Sequence, residues 1–415
     1  MINKFVNEYR VFLSYPHNMR VLLITNLIYS LVLPIIELFI GAYIMRNSQD
    51  AKLVVIFQLA LYSGIPITFA INGYLLRRIK IAWLYSFGML LSGVSMTAMM
   101  MLDKLDITGI GIAGLIMGVS YGFFWANRDF LALETTNDQN RNYYYGLETF
   151  FYTITAVIVP YVVGVFIGTT QKLNWFSGNI NMAYQIVTAA VFFLTILSAI
   201  YVNKGHFVNP KREKFIFFKF HSLWNKMIRL SVLKGLAQGY IVTAPAMLIM
   251  KLVGEEDILG TVQAIGAIVS AIILYVIGRI SKPRHRIYIF SAGLLLFALG
   301  AFINAGLYSS LGVILFMLCL IIARPLLDVA YFPIQLKVID LVAAIEKRNE
   351  FSYFLNHEFG LYIGRLFGCG LFISMTYLIT EDFALKYALL IIAILQLISI
   401  FVAKNILSTS KKIQS

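Results

Sequence analysis

Charge is scarce in this sequence. Asp, Glu, Lys and Arg make up 13% of its 415 residues and hydrophobic residues 60%, whereas a soluble domain carries roughly 25% charged residues. That balance excludes a water-soluble globular fold. Cysteine is scarcer still. Only Cys319 and Cys369 occur, both inside apolar runs, which excludes a disulfide framework or a metal cluster of cysteines. No His/Cys/Asp spacing makes a dedicated metal site, and no cofactor is expected. The phosphate-loop pattern G-x4-G-K-[ST] is absent, as is any loop long enough for a nucleotide-binding domain. Energy for any transport would then come from a gradient. No early apolar run is followed by a small-residue cleavage site, so no removed signal peptide is expected. Instead Phe5, Tyr9 and Phe12 recur at helical spacing ahead of Pro16, the pattern of a short helix lying on a membrane surface.

What the chain has in abundance is long apolar runs. Twelve are expected to span a bilayer, at about 20–45, 52–76, 81–102, 107–134, 142–168, 181–203, 226–251, 257–281, 285–307, 310–340, 350–379 and 383–405. Each is close to the roughly 20 residues a spanning helix needs. They must be helices, because lipid offers no partner to an unpaired backbone group. An even count places both termini on one face. Of the 34 Lys and Arg, only Arg46, Lys52, Lys104, Lys172, Lys251 and Lys386 fall on the other face. Arg128, Lys234, Arg324 and Arg365 fall within spans, and the rest lie on the face of the termini. The acidic runs Glu255-Glu256-Asp257 and Glu381-Asp382 sit on the basic-poor face. Both termini are therefore expected in the cytoplasm. The net charge of +14 reflects those basic loops rather than a nucleic-acid partner.

The largest break separates the sixth and seventh spans. It divides the chain into a six-helix half at 1–203, a basic linker at 204–225, a second six-helix half at 226–405 and a tail at 406–415. The linker interleaves Lys211, Arg212, Lys214 and Lys219 with Phe215, Phe217, Phe218, Phe220 and Trp224, as an interfacial segment on anionic lipid does. The halves look like copies. Glu134 ends the fourth span and Arg141-Asn142 opens the fifth; Asp340 ends the tenth and Arg348-Asn349 opens the eleventh. Two parallel six-helix repeats are the layout of one large transporter class.

On these features the chain resembles the major facilitator superfamily across nearly its whole length. The superfamily's turn between the second and third spans reads G-x-L-x-D-R-x-G-R-R. Here GYLLRRIKIA, from Gly73 to Ala82, keeps the glycine, Leu75 and Arg78, but has Arg77 at the Asp position and Lys80 at the second Gly. The second-half turn has Lys282 at the Asp position. The family uses that Asp in a gating salt bridge, so this chain must latch differently. The fifth span keeps Gly146, Pro160 and Gly164 of the antiporter pattern G-x8-G-x3-G-P-x2-G-G, and has Thr155, Val159 and Val163 at its other glycine positions. The stretch YGFFWANRDFLALETTNDQNRNYYYG is similar to the YQGE-type branch of the superfamily. The resemblance implies an all-α fold of twelve membrane helices in two pseudo-symmetric halves. It implies a secondary transporter in a bacterial cytoplasmic membrane that works as a monomer, with the solute bound between the halves.

Ions in a span are costly unless they face a wet interior, which selects the residues that could carry function. Glu37 stands alone in LVLPIIELFIGAY and is the first candidate for proton coupling. Asp129, His357 and Glu358 follow. Arg128 precedes Asp129 but projects about 100° away, so the two need not pair, and Glu148 is the better partner for Arg128. Arg324 and Asp328 share a face and either pair with each other or, with Pro325 freeing carbonyls and widening a cavity, leave Arg324 to meet an anionic group of the solute. Glu358 and Arg365 also share a face. Asn26, Tyr29, Tyr121, Trp125, Arg128, Tyr152, Gln238, Gln263, Arg324, Asp328, Tyr331 and Arg365 are candidates to line a solute cavity. Arg77, Arg78, Glu134, Arg141, Glu148, Asp340 and Arg348 are candidates for gating or structural charge. The intramembrane arginines point to a small polar solute, anionic or zwitterionic. The competing readings are a proton-antiport exporter, a lipid flippase on the same fold, and a membrane enzyme such as an acyltransferase using His357 and Glu358.

Overall fold

The computed structural model describes residues 10–136, 140–209, 217–348 and 350–414. Phe5 and Tyr9 of the expected surface helix, Lys211, Arg212, Lys214 and Phe215 of the linker, Asn349, and the side chains of Arg141 and Asn142 lie outside that description. Among the described residues there is no strand. Twelve helices are long and apolar enough to cross a membrane: His17–Ser48, Ala51–Leu75, Ile81–Met100, Ile107–Ala132, Tyr143–Lys172, Ile180–Gly205, Ser222–Leu252, Glu256–Ile277, Pro283–Leu307, Ser310–Glu346, Ser352–Leu378 and Glu381–Ile413. The protein is a multi-pass integral membrane protein, and these are its first to twelfth spans.

The helices fall into two six-helix halves. In the N-terminal half, spans two and three pack on span four, and span three on span six. In the C-terminal half, span seven packs on span eleven, span nine on ten, and span nine on twelve. The halves meet along two long seams, span two against eleven and span five against eight, and also where the C-terminal parts of spans one and seven touch. Under an exchange of halves each seam maps onto the other. The second seam depends on glycine. A Cβ at Gly260 would meet the Pro160 carbonyl, and one at Gly164 would meet the Gly260 Cα. Without a lipid-driven hydrophobic term between helices, such close backbone approach is what holds the seam.

The first span of each half is broken at corresponding places. Span one is helical over His17–Ser30 and again over Leu33–Ser48, with Pro34 opening the second piece. Span seven is helical over Ser222–Ile241 and Ala244–Leu252, with Pro245 opening its second piece. Proline has no N–H for the carbonyl four residues back, so each break leaves a carbonyl in search of a donor.

The ends differ from the expected ones in two places. Span ten continues to Glu346 rather than stopping near 340. The residues expected as a tail from 406 continue the twelfth span, which is helical over Glu381–Gln396 and again over Ile398–Gln414. Ala403, Ile406 and Ser410 recur at helical spacing and are buried. Lys226 Nζ donates to Asn405 Oδ1 at 2.9 Å and to Thr409 Oγ1 at 2.9 Å, which ties that extension to the start of span seven.

Candidate functional site

A cavity of about 1890 Å³ lies between the halves. Its inner wall holds Glu37, Phe57, Gln58, Tyr62, Tyr121, Gln238 and Arg365, from spans one, two, four, seven and eleven. It extends to Arg77, Glu134 and Glu350, at the helix ends on the face that carries the termini. Trp125, Arg128, Asp129, Lys234, His357 and Glu358 line the path between.

The opposite face is closed by bonds from one half to the other. Arg46, at the end of span one, forms an ion pair with Glu256, whose side chain is fully buried, and donates to the Gly254 carbonyl at 3.0 Å. Tyr184 Oη donates to the same Glu256 at 3.0 Å. Lys172 pairs with Asp257 at 2.6 Å and with Glu255 at 3.5 Å. The Ala51 N–H donates to Glu381, which Lys251 also reaches at 3.0 Å. Beside them Tyr308 donates to Asp382 at 3.2 Å; burial, then that carboxylate, raise its phenol above the ordinary tyrosine range. These are the few cations and the two acidic runs of the basic-poor face. Their signs were visible in the sequence, but their pairing was missed, because it depends on which helix ends meet across the halves.

In the N-terminal half a polar cluster is buried behind the cavity wall. Glu148 is 1% exposed. It accepts from Arg128 Nε at 3.1 Å and pairs with the same guanidinium through Nη2. It also accepts from Asn26 Nδ2 at 2.6 Å and Tyr144 Oη at 3.2 Å. Tyr85 Oη donates to Asn26 Oδ1 at 2.6 Å and closes the network. Four helices, spans one, three, four and five, are tied at one point. Arg128 does pair with its neighbour after all: Nη1 donates to Asp129 Oδ1 at 2.7 Å. The long guanidinium arm bends toward Asp129 despite the 100° offset, leaving the Asp129 side chain more than half exposed.

The C-terminal half presents cations that are each held. Arg365 donates to Gln238 Oε1 at 3.2 and 2.9 Å and to Glu358 at 3.4 Å, with its guanidinium 4.6 Å from the centre of the Tyr62 ring. Lys234 Nζ lies 4.0 Å from the Tyr331 ring centre and 4.3 Å from that of Phe332, and pairs with Asp328 at 3.4 Å. His357 shares a 2.7 Å hydrogen bond with Tyr331. The Arg324–Asp328 pair is absent. Arg324 instead donates to the Ile241 carbonyl at 3.0 Å. That carbonyl is the one Pro245 deprives of its helical donor, so the relevant kink is in span seven and not at Pro325.

Glu37 is different from all of these. Its side chain is exposed to the cavity and makes no hydrogen bond or ion pair among the described residues. Four groups are close enough to interact with it electrostatically: Arg324, Tyr62, Tyr121 and, two turns back on its own span, Tyr29.

Several other candidates lie elsewhere than the sequence suggests. Asn26, Tyr29, Tyr152, Gln263, Arg324, Asp328 and Tyr331 do not line the cavity. Asn26 serves Glu148. Tyr29 is fully buried with its ring 4.3 Å from Phe124. Tyr152 faces Trp125 at 6.4 Å, and Tyr331 is taken up by His357 and Lys234. Arg78 and Asp340 are exposed, and the Arg141 side chain lies outside the described residues. Arg348 joins the linker instead of the cavity: it donates to the Lys219 carbonyl at 2.6 Å, stacks 4.3 Å from Phe217 and pairs with Glu346 at 3.3 Å. Lys234, Gln58 and Tyr62 were missed as cavity residues. Lys234 carried a signal, being one of four basic residues inside a span; Gln58 and Tyr62 are ordinary in composition and only the packing singles them out. The described residues contain no group of His, Cys, Asp and Glu arranged to hold a metal ion.

Residues 21–343 match the sequence model described as the Major Facilitator Superfamily. The uncharacterized protein YqgE of Bacillus subtilis (strain 168) is 24% identical over 374 residues, covering 88% of this chain and 84% of that one. Among solved structures, the nucleoside transporter NupG superposes with a TM-score of 0.69 at 14% identity, over 94% of this chain and 99% of that one. A bacterial homologue of the iron transporter ferroportin, in an inward-facing state, superposes with a TM-score of 0.66 at 14% identity, over 92% and 98%. At these identities the likeness to the solved structures is one of fold.

Proposed function

The chain belongs to the major facilitator superfamily, and from that premise we propose that it is a secondary transporter that carries a small polar solute across the membrane by alternating access, coupled to protons through Glu37. The observation that carries this reading is the cavity of about 1890 Å³ between the halves, closed on one face by ion pairs and extending to the other. With the basic-rich face assigned to the cytoplasm, the cavity is open inward. Rocking the halves about the seams of spans two with eleven and five with eight would break the Arg46–Glu256 and Lys172–Asp257 pairs and open it outward.

Coupling needs a group whose proton can come and go as access changes. Glu37 meets that need because it faces the cavity and no described residue bonds to its carboxylate. Glu148 does not, because Arg128, Asn26 and Tyr144 already fill its oxygens. The arginines that suggested an anionic solute are engaged by Glu148 and Asp129, by the Ile241 carbonyl, and by Gln238 and Glu358. They support a structural role more than an anion receptor.

The test is reconstitution in liposomes with a panel of amino acids, peptides, sugars, nucleosides, organic anions and amines, reading proton movement. A solute-dependent proton signal that Glu37→Gln abolishes supports the proposal. Solute movement with the same proton signal in Glu37→Gln overturns the coupling role.

A further inference from the structure

We propose that the inner end of the cavity is a binding site for the ammonium group of an organic cation, which competes with a proton for Glu37. This rests on the reading of the cavity as a transport site and adds the chemical class of its ligand. Three observations carry it. Glu37 is an accessible carboxylate with no protein partner among the described residues. The wall beside it is aromatic: Phe57 and Tyr121 line the same space together with Tyr62, whose ring already holds the Arg365 guanidinium, and free ring faces attract a cation. The Tyr121 hydroxyl is buried, has no hydrogen-bond partner, and interacts electrostatically with Glu37. A buried hydroxyl normally has a partner, and here a ligand would supply it.

Among the described residues at the inner end, no cation lacks a hydrogen-bond partner. Arg324, Arg365 and Lys234 each have a partner of their own. The titratable and charged groups that face Glu37 are Arg324 from span ten, Tyr62 from span two, Tyr121 from span four and Tyr29 from its own span. The tyrosines are neutral and Arg324 is fixed on the Ile241 carbonyl, so the carboxylate is the one group there free to exchange its counterion. A neutral Glu37 loses its proton to water when an ammonium takes its place. The ammonium and the carboxylate then balance in charge, and one proton leaves for each cation bound. Because one carboxylate cannot hold both, the coupling would be exchange: a proton moves one way as the cation moves the other.

The experiment uses the purified full chain in detergent, titrated by calorimetry with phenethylamine, choline and tetraethylammonium. Phenylethanol and phenylpropionate serve as the neutral and anionic counterparts, and the titrations are repeated across a pH series with proton release recorded. At least one cation is expected to bind, more weakly as the pH falls, with roughly one proton released per cation. Glu37→Gln should weaken it by roughly tenfold or more, and Tyr121→Phe by a smaller factor, with the neutral compound unaffected. Both variants should elute as monodisperse wild-type-like protein. Binding of phenylpropionate without any cation, cation affinity unchanged in Glu37→Gln, or no cation bound at all would each overturn the proposal. If liposomes show proton-coupled movement of an anion that requires Glu37, the transport reading stands and this inference alone falls. If a cation binds at Glu37 but no solute moves protons, the site stands and the coupling falls.

Discussion

Glu148 and Glu37 are both carboxylates inside spans of the N-terminal half, and their surroundings are opposite. Glu148 is buried, faces a guanidinium and accepts from an amide and a phenol. Glu37 faces the cavity between the halves and has no partner among the described residues. The first is part of the scaffold: its charge is matched and its lone pairs are used, so it holds spans one, three, four and five in register. The second contributes nothing evident to the scaffold, yet an ionisable group at that depth is costly to keep. An ionisable group retained at a cost and without a structural return is where function is to be looked for.

The contrast can be broken first at Glu148. Glu148→Gln leaves Arg128 buried with only Asp129, and breaking a buried pair typically costs about 3–5 kcal/mol. Loss of the monodisperse peak in fluorescence-detected size exclusion is the expected result; a wild-type profile would show the cluster is not structural. Next is the outer latch. Glu256→Gln removes the buried charge that pairs with Arg46 and leaves Tyr184 only a neutral acceptor, at a cost of roughly 1–3 kcal/mol. It should favour outward opening, seen as faster reaction of Ile36→Cys with an impermeant thiol reagent applied to the face opposite the termini. An unchanged rate would mean the latch does not set the resting state. Smaller is Asn26→Ala, which takes one neutral donor from Glu148 and one acceptor from Tyr85, about 1 kcal/mol, read as a fall in thermal midpoint with transport retained. Smallest in stability is Glu37→Gln. With no partner to lose, it should shift stability by less than about 0.5 kcal/mol while removing proton-coupled transport. A large loss of stability would show that Glu37 has a structural partner after all.

The fold was readable in the sequence because it follows from run length. Only helices can bury their own backbone polar groups in lipid, and the spacing of Glu134 to Arg141 and of Asp340 to Arg348 marked the repeat, although the helix runs on past Asp340 to Glu346. Glu37 was readable for the same reason: a lone carboxylate in an apolar run stands out. What was not readable depends on contacts between distant helices. Arg324 and Asp328 share a helical face, but a carbonyl freed by Pro245 in another span takes the arginine, and Lys234 takes the aspartate. Asn26 and Tyr29 looked like cavity residues because they are polar on the first span; the packing turns them toward Glu148 and Phe124 instead. The Arg46–Glu256 latch joins residues 210 positions apart, beyond any local spacing rule. It also suggests how a chain with Arg77 and Lys282 at the family's gating Asp positions can close at least one of its faces.

The most direct test of the contrast is infrared difference spectroscopy on the purified protein as pH is raised, following the carbonyl band of protonated carboxyl groups. A band lost on deprotonation in the wild type is expected to be missing in Glu37→Gln and retained in Asp129→Asn. A band that persists unchanged in Glu37→Gln would mean that the proton is carried elsewhere, and the central claim would fail.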